Sequence, residues 1–177
     1  MLHVSKSVTI NRPREEVYGL WRDLEKLPLF MQHVRSVTRL GNGRSHWVAR
    51  APAGQEVEWD AEIVEERPGK TLAWRSISEG DIRHEGVVQF KDAPPGRGTE
   101  VRVHLDYEPP AGKAGAAVAR LFGEEPKQQI RDDLRRLKQV LETGEVVLSD
   151  GSLEGAGQGI HKQREAQPYD ETEEELP

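Results

Sequence analysis

A chain of 177 residues has room for one ordinary domain and an appendage, and with 35% hydrophobic against 32% charged residues its core must be economical. It contains no cysteine, which excludes disulfides, thiolate nucleophiles and cysteine-based metal sites. The net charge of −6 belongs to the tail: residues 143–177 hold nine acids against Lys162 and Arg164, which leaves residues 1–142 about one unit positive and gives no electrostatic reason to expect nucleic acid.

The opening "LHVSKSVTIN" alternates apolar and polar residues and reads as a strand. It lacks a signal-peptide core, and no apolar run approaches the ~20 residues of a membrane-spanning helix. A cytoplasmic protein with no integral membrane segment is expected. "RPREEVYGLWRDL" follows as a helix. Pro13 suits its first turn, Glu15 and Glu16 favour its positive end, and Val17, Leu20, Trp21 and Leu24 form its apolar stripe. A second short helix is expected to end at Pro28.

Six strands with regular turn punctuation come next: residues 33–40, 45–51, 56–66, 71–78, 82–91 and 99–108. Such spacing predicts an antiparallel meander. Alternation points Trp59, Ala61 and Ile63 to one face, with Leu72, Trp74 and Ser76 from the next strand. His84, Gly86, Val88 and Phe90 follow, then Val101, Val103, Leu105 and Tyr107. Trp47 with Ala49 joins them, although Val48 competes for the same phase. The opposite phase (Glu58, Asp60, Glu62; Arg102, His104, Asp106) suits water.

From about Ala114 the period changes. Val118, Leu121, Phe122, Ile130, Leu134, Leu137, Val140 and Leu141 step by three and four, which predicts a helix with one apolar face. Gly123 and Pro126 in "FGEEP" predict a kink or short break. The charges of Arg131, Asp132, Asp133, Arg135, Arg136 and Lys138 are expected on its solvated side. After Glu142 the pattern fades into a linker-like, acidic tail with too few apolar groups to offset its ordering entropy. The domains are thus residues 1–142 and an acidic, flexible 143–177, in which "EVVLSDG" could form a brief extended segment.

One strand, two short helices, six antiparallel strands and a long helix make an α+β order in which the sheet must curl and the helix must bury its stripe on the concave face. In "INRPREEVYGLWRDLEKLPLFMQHV", "WDAEIVEERPGKTLAWRS", "GVVQFKDAPPGRGTEVRVHLDYEPP" and "QIRDDLRRLKQVLE" the chain resembles the START-like (helix-grip, SRPBCC) superfamily. Within it, the chain is most similar to polyketide cyclase/dehydrase and coenzyme Q-binding-type proteins. The resemblance spans roughly residues 3–142 and implies about seven curved strands gripping the C-terminal helix, with a hydrophobic pocket between them. The cavity-lining set is then Trp47, Trp59, Ala61, Ile63, Leu72, Trp74, Ser76, His84, Gly86, Val88, Phe90, Val103, Leu105, Tyr107, Phe122, Ile130 and Leu134.

Ligand pockets start near ~300 Å³. Left dry, such a volume would cost about 7 kcal/mol, which a domain stable by about 5–15 kcal/mol cannot sustain. Small inward residues (Ala61, Ser76, Gly86, with Ala49) favour real space; Gly86 has a second reading as a bulge. No histidine pair has metal-ligand spacing, Ser45, Ser76 and Ser78 lack a nucleophile elbow, and "GNGRS" does not open a helix, so no metal, cofactor or phosphate loop is expected. The inward polar set Ser76, His84 and Tyr107 suits a quinone, phenol or ketone oxygen. Cyclases of the superfamily often use inward arginines, whereas Arg75 and Arg83 fall on the outward phase. The favoured function is binding of a hydrophobic small molecule: a quinone, lipid or aromatic. The alternatives are an aromatase/cyclase-dehydratase acting on a polyketide-like substrate, and a protein-interaction module without a small ligand. No pattern specifies an oligomeric state.

Overall fold

The computed structural model describes residues 2–50, 54–77, 83–108 and 126–144, all within one unit, Met1–Val147. The expected helix start near Ala114, the break at "FGEEP", Phe122 and the acidic tail lie outside the described residues. So does the side chain of Tyr107.

Seven antiparallel strands form one sheet in the order β1-β7-β6-β5-β4-β3-β2. They are β1 (Leu2–Ile10), β2 (Val34–Gly41), β3 (Arg44–Arg50), β4 (Glu56–Arg67), β5 (Thr71–Ser76), β6 (Arg83–Asp92) and β7 (Thr99–Glu108). The meander therefore runs from β2 to β7, and β1 closes onto β7 with Val4 opposite Leu105 and Val8 opposite Val101. The β2–β3 hairpin turns through Gly41, Asn42 and Gly43, all at positive φ (87°, 51° and 74°). Glycine and asparagine reach that region at least cost. Strand β4 carries a register shift between Ile63 and Glu65. Such an irregularity bends a strand and strengthens its twist, as a curved sheet requires.

Helix α1 (Arg14–Arg22) buries Val17 and Trp21 one turn apart. Pro13 stands one position earlier than expected: its ψ of 146° is extended, so it is the N-cap and helical geometry begins at Arg14. The second short helix is a 3₁₀ turn, Leu24–Leu29, with Pro28 inside it. Leu24 and Leu27, three residues apart, eclipse on one side and are buried, as i and i+3 do at three residues per turn. Tight burial of Leu27 and Phe30 carries the chain past the proline.

Helix α2 (Pro126–Thr143) buries Ile130, Leu134, Leu137 and Leu141. Its C-terminal end is pinned to the first loop. Arg12 donates from Nε to the Leu141 carbonyl (2.9 Å) and from Nη2 to that of Glu142 (3.2 Å). Lys138 Nζ donates to Thr9 O (2.7 Å), and Asn11 N–H to Glu142 Oε1 (2.8 Å). The two Arg12 bonds satisfy carbonyls that a helix end leaves without partners.

Candidate functional site

Strand β3 resolves the competition between Trp47 and Val48. Ser45, Trp47 and Ala49 are buried and the residues between them are not. Trp47 stands opposite Trp59 on β4, and their rings stack at 5.8 Å and 18°. Trp47 Nε1 donates to Ser45 Oγ at 2.9 Å, so its polar atom is satisfied. His84 meets Trp59 edge-on at 5.3 Å.

Beside this aromatic wall lies a cavity of about 110 Å³ between the sheet and the first half of α2. Trp47, Trp59, Trp74, His84, Val103, Leu105, Ile130 and Leu134, all expected from the sequence, line it. Trp21, Phe30, Met31, His33, Val34, Ala49, Gln129 and Asp133 complete the walls. Its volume is well under the expected ~300 Å³.

The other expected residues lie elsewhere. Val88 and Phe90 belong to solid core, Phe90 edge-on to Tyr18 at 5.5 Å and to Trp21 at 6.3 Å. Ile63 and Leu72 border a space of about 10 Å³, too small for more than a single water. Ala61 is buried opposite Ser45 and Ser76. Ser76 Oγ accepts from His84 N–H at 3.1 Å, so it anchors the strand that carries His84. Gly86 forms no bulge, since β6 pairs without a shift on both sides. It makes room for Trp74, whose ring would lie 2.2 Å from a Cβ there. That small residue is thus spent on ring packing and creates no free volume. Arg75 and Arg83 do face outward, pairing with Glu62 and Glu108.

Among the described residues, three ring nitrogens of the cavity walls are buried without a protein partner: Trp59 Nε1, His33 Nε2 and His84 Nε2. Burial lowers the pKa of His84 to about 4, and burial with the nearby charge of Arg136 does the same to His33. Both are neutral at pH 7. Asp133 corrects the expectation of a solvated charged face. Its side chain is 14% exposed, and burial raises its pKa to about 7 against the opposing bonds from Gln32 N–H (3.3 Å) and Arg136 Nη1 (3.0 Å). Asp133 was legible as i+3 from Ile130 and i−4 from Leu137, on the flank of the apolar stripe. His33 sits in a turn and gave no periodic signal. Among the described residues no group of three or more His, Asp or Glu side chains is placed to hold a metal ion, and no helix is long and apolar enough to cross a membrane.

The family model for polyketide cyclase/dehydrase and lipid transport matches residues 10–135, which include all of the wall residues named above. The chain belongs to this family. A crystal structure of DR_A0006 from Deinococcus radiodurans, another similar chain, is 44% identical, with a TM-score of 0.67 over 82% of this chain and 100% of that one. An uncharacterised 17.2 kDa protein of Streptomyces lincolnensis is 29% identical over 80% of this chain and 91% of its own. A START superfamily protein from Mycobacterium smegmatis, 18% identical, shares the fold with a TM-score of 0.61 over 78% of this chain and 98% of that one. This member of the family accordingly has the START-like helix-grip fold, with its cavity at one end of the grip and solid core at the other.

Proposed function

We propose that this polyketide cyclase/dehydrase family member binds a hydrophobic small molecule in the cavity between the sheet and α2, without transforming it. Residues 1–142 are the binding domain and the acidic residues 143–177 an appendage. One observation carries the reading: five aromatic rings from α1, the 3₁₀ turn's end, β3, β4 and β5 surround a space that no side chain among the described residues fills. Apolar walls with a few polar groups are the usual make-up of a small-molecule site. Native mass spectrometry of the full chain, expressed in bacteria, tests it. A co-purifying hydrophobic molecule, released on denaturation, is expected. If none co-purifies, and quinones, sterols and fatty acids leave tryptophan emission unchanged, the function lies on the outer surface.

A second reading, an aromatase/cyclase-dehydratase, is favoured by Asp133, a cavity carboxyl that exchanges its proton near pH 7. The cavity's volume weighs against it, because a folded polyketide chain needs more than about 110 Å³. Cyclisation of a linear poly-β-ketone, lost in Asp133→Asn, would establish catalysis.

A further inference from the structure

Resting on the reading of the cavity as a binding site, we propose that its ligand is a compact, neutral aromatic molecule with a hydrogen-bond-accepting oxygen, selected by the indole N–H of Trp59. The cavity's size, walls and unpartnered polar atoms each restrict the ligand independently.

Size comes first. A 150 Å³ apolar cavity holds benzene. At about 110 Å³ this one suits a single ring with slight adjustment of its walls, and a sterol or fused polycycle is too large. The rings of Trp21, Trp47, Trp59 and Trp74 favour a flat guest over a flexible one, because aromatic pairs gain beyond area burial.

The polar atoms then choose among flat guests. Trp59 Nε1 is buried with no partner among the described residues, and an indole N–H can only donate. A hydrocarbon ring or an alkyl chain would leave it unmet, together with the Nε2 atoms of His33 and His84. A carbonyl or phenol oxygen satisfies it. Charge excludes the remaining class. No lysine or arginine lines the cavity among the described residues, both histidines are neutral, and the one ionisable carboxyl is Asp133. An anionic ligand would lose its hydration there and meet no cation on the wall, since Arg136 behind it is engaged by Asp133 and Gln32.

The test uses matched probes on the full chain, read by calorimetry and tryptophan emission: acetophenone, its near-isostere ethylbenzene, benzoate and dodecanoic acid. Acetophenone is expected to bind at least about tenfold tighter than ethylbenzene or benzoate, a factor equal to about 1.4 kcal/mol. In Trp59→Phe, which keeps a ring and removes the N–H, the preference for acetophenone over ethylbenzene should vanish while ethylbenzene binding is retained. If acetophenone and ethylbenzene bind wild type equally, if benzoate binds tightest, or if dodecanoic acid alone binds, the inference is overturned and the cavity remains a binding site. If no probe binds, the inference is likewise overturned. The binder reading then stands or falls on whether a ligand co-purifies. Should Trp59→Phe fail to fold, the wild-type comparison decides alone.

Discussion

The ring of Trp74 lies directly over Gly86, its register partner on β6, so that a Cβ on Gly86 would come within 2.2 Å of Cζ2 and 2.5 Å of Cε2. Non-bonded carbon atoms do not approach that closely, so Gly86→Ala must displace an indole that lines the cavity. Overpacking of this kind costs about 1–3 kcal/mol. Urea titration should show that loss, and tryptophan emission should shift because the ring has moved. Unchanged stability and emission would mean that Trp74 has another resting place.

Ser45 is 2% exposed and accepts the indole N–H of Trp47. Ser45→Ala leaves that donor buried and unpaired, at a cost of about 1–3 kcal/mol. Ser45→Thr, which keeps the oxygen, should recover part of it. Equal stability of wild type and Ser45→Ala would show that the indole finds another acceptor.

Helix α2 should respond by face. Leu134 is 3% exposed and Leu137 fully buried, so either change to alanine should cost about 2–5 kcal/mol. Arg135, with its side chain 77% exposed, should tolerate alanine within about 0.5 kcal/mol. Similar small effects at all three positions in denaturant titrations would contradict the docking of α2 described above.

The cavity's ionisable groups oppose one another in acid. His33 and His84, lowered from 6.5 to about 4, stay neutral in the folded state while the unfolded chain takes up their two protons. Their contribution is full above pH 6.5 and is lost as pH falls towards 4. Asp133, raised from 3.8 to about 7, holds one proton in the folded state over that range and none in the unfolded chain, so its burial penalty grows as pH rises through the same window. Arg136 and Asp132 on α2, with Gln32 N–H on the facing turn, set its environment. These three groups together make the unfolded state the richer by one proton, a slope of about 1.4 kcal/mol per pH unit. Asp133→Asn removes the opposing proton. Its stability should fall more steeply than wild type between pH 6.5 and 4.5, by about 1.4 kcal/mol per unit. Parallel curves from urea titrations at each pH would show that Asp133 is ionised throughout.

Alternation along the strands, written into the sequence, determined the order of elements and the inward phase, because each peptide turns its side chain to the opposite face. Trp59 and Trp74 were legible in that way as facing one space, and Leu134 as part of the stripe that covers it. Tertiary structure decided what a period of two or 3.6 does not encode: how much of that face is free volume. Val88 and Phe90 share the inward phase with His84, yet α1 covers their end of the sheet and fills it. The ring of Trp74 consumes the space beside Gly86. Asp133 is buried because Gln32, about a hundred residues earlier, is brought against α2 and donates to it. Its chemistry follows from that neighbour and from lost water, and both arise only when distant segments meet.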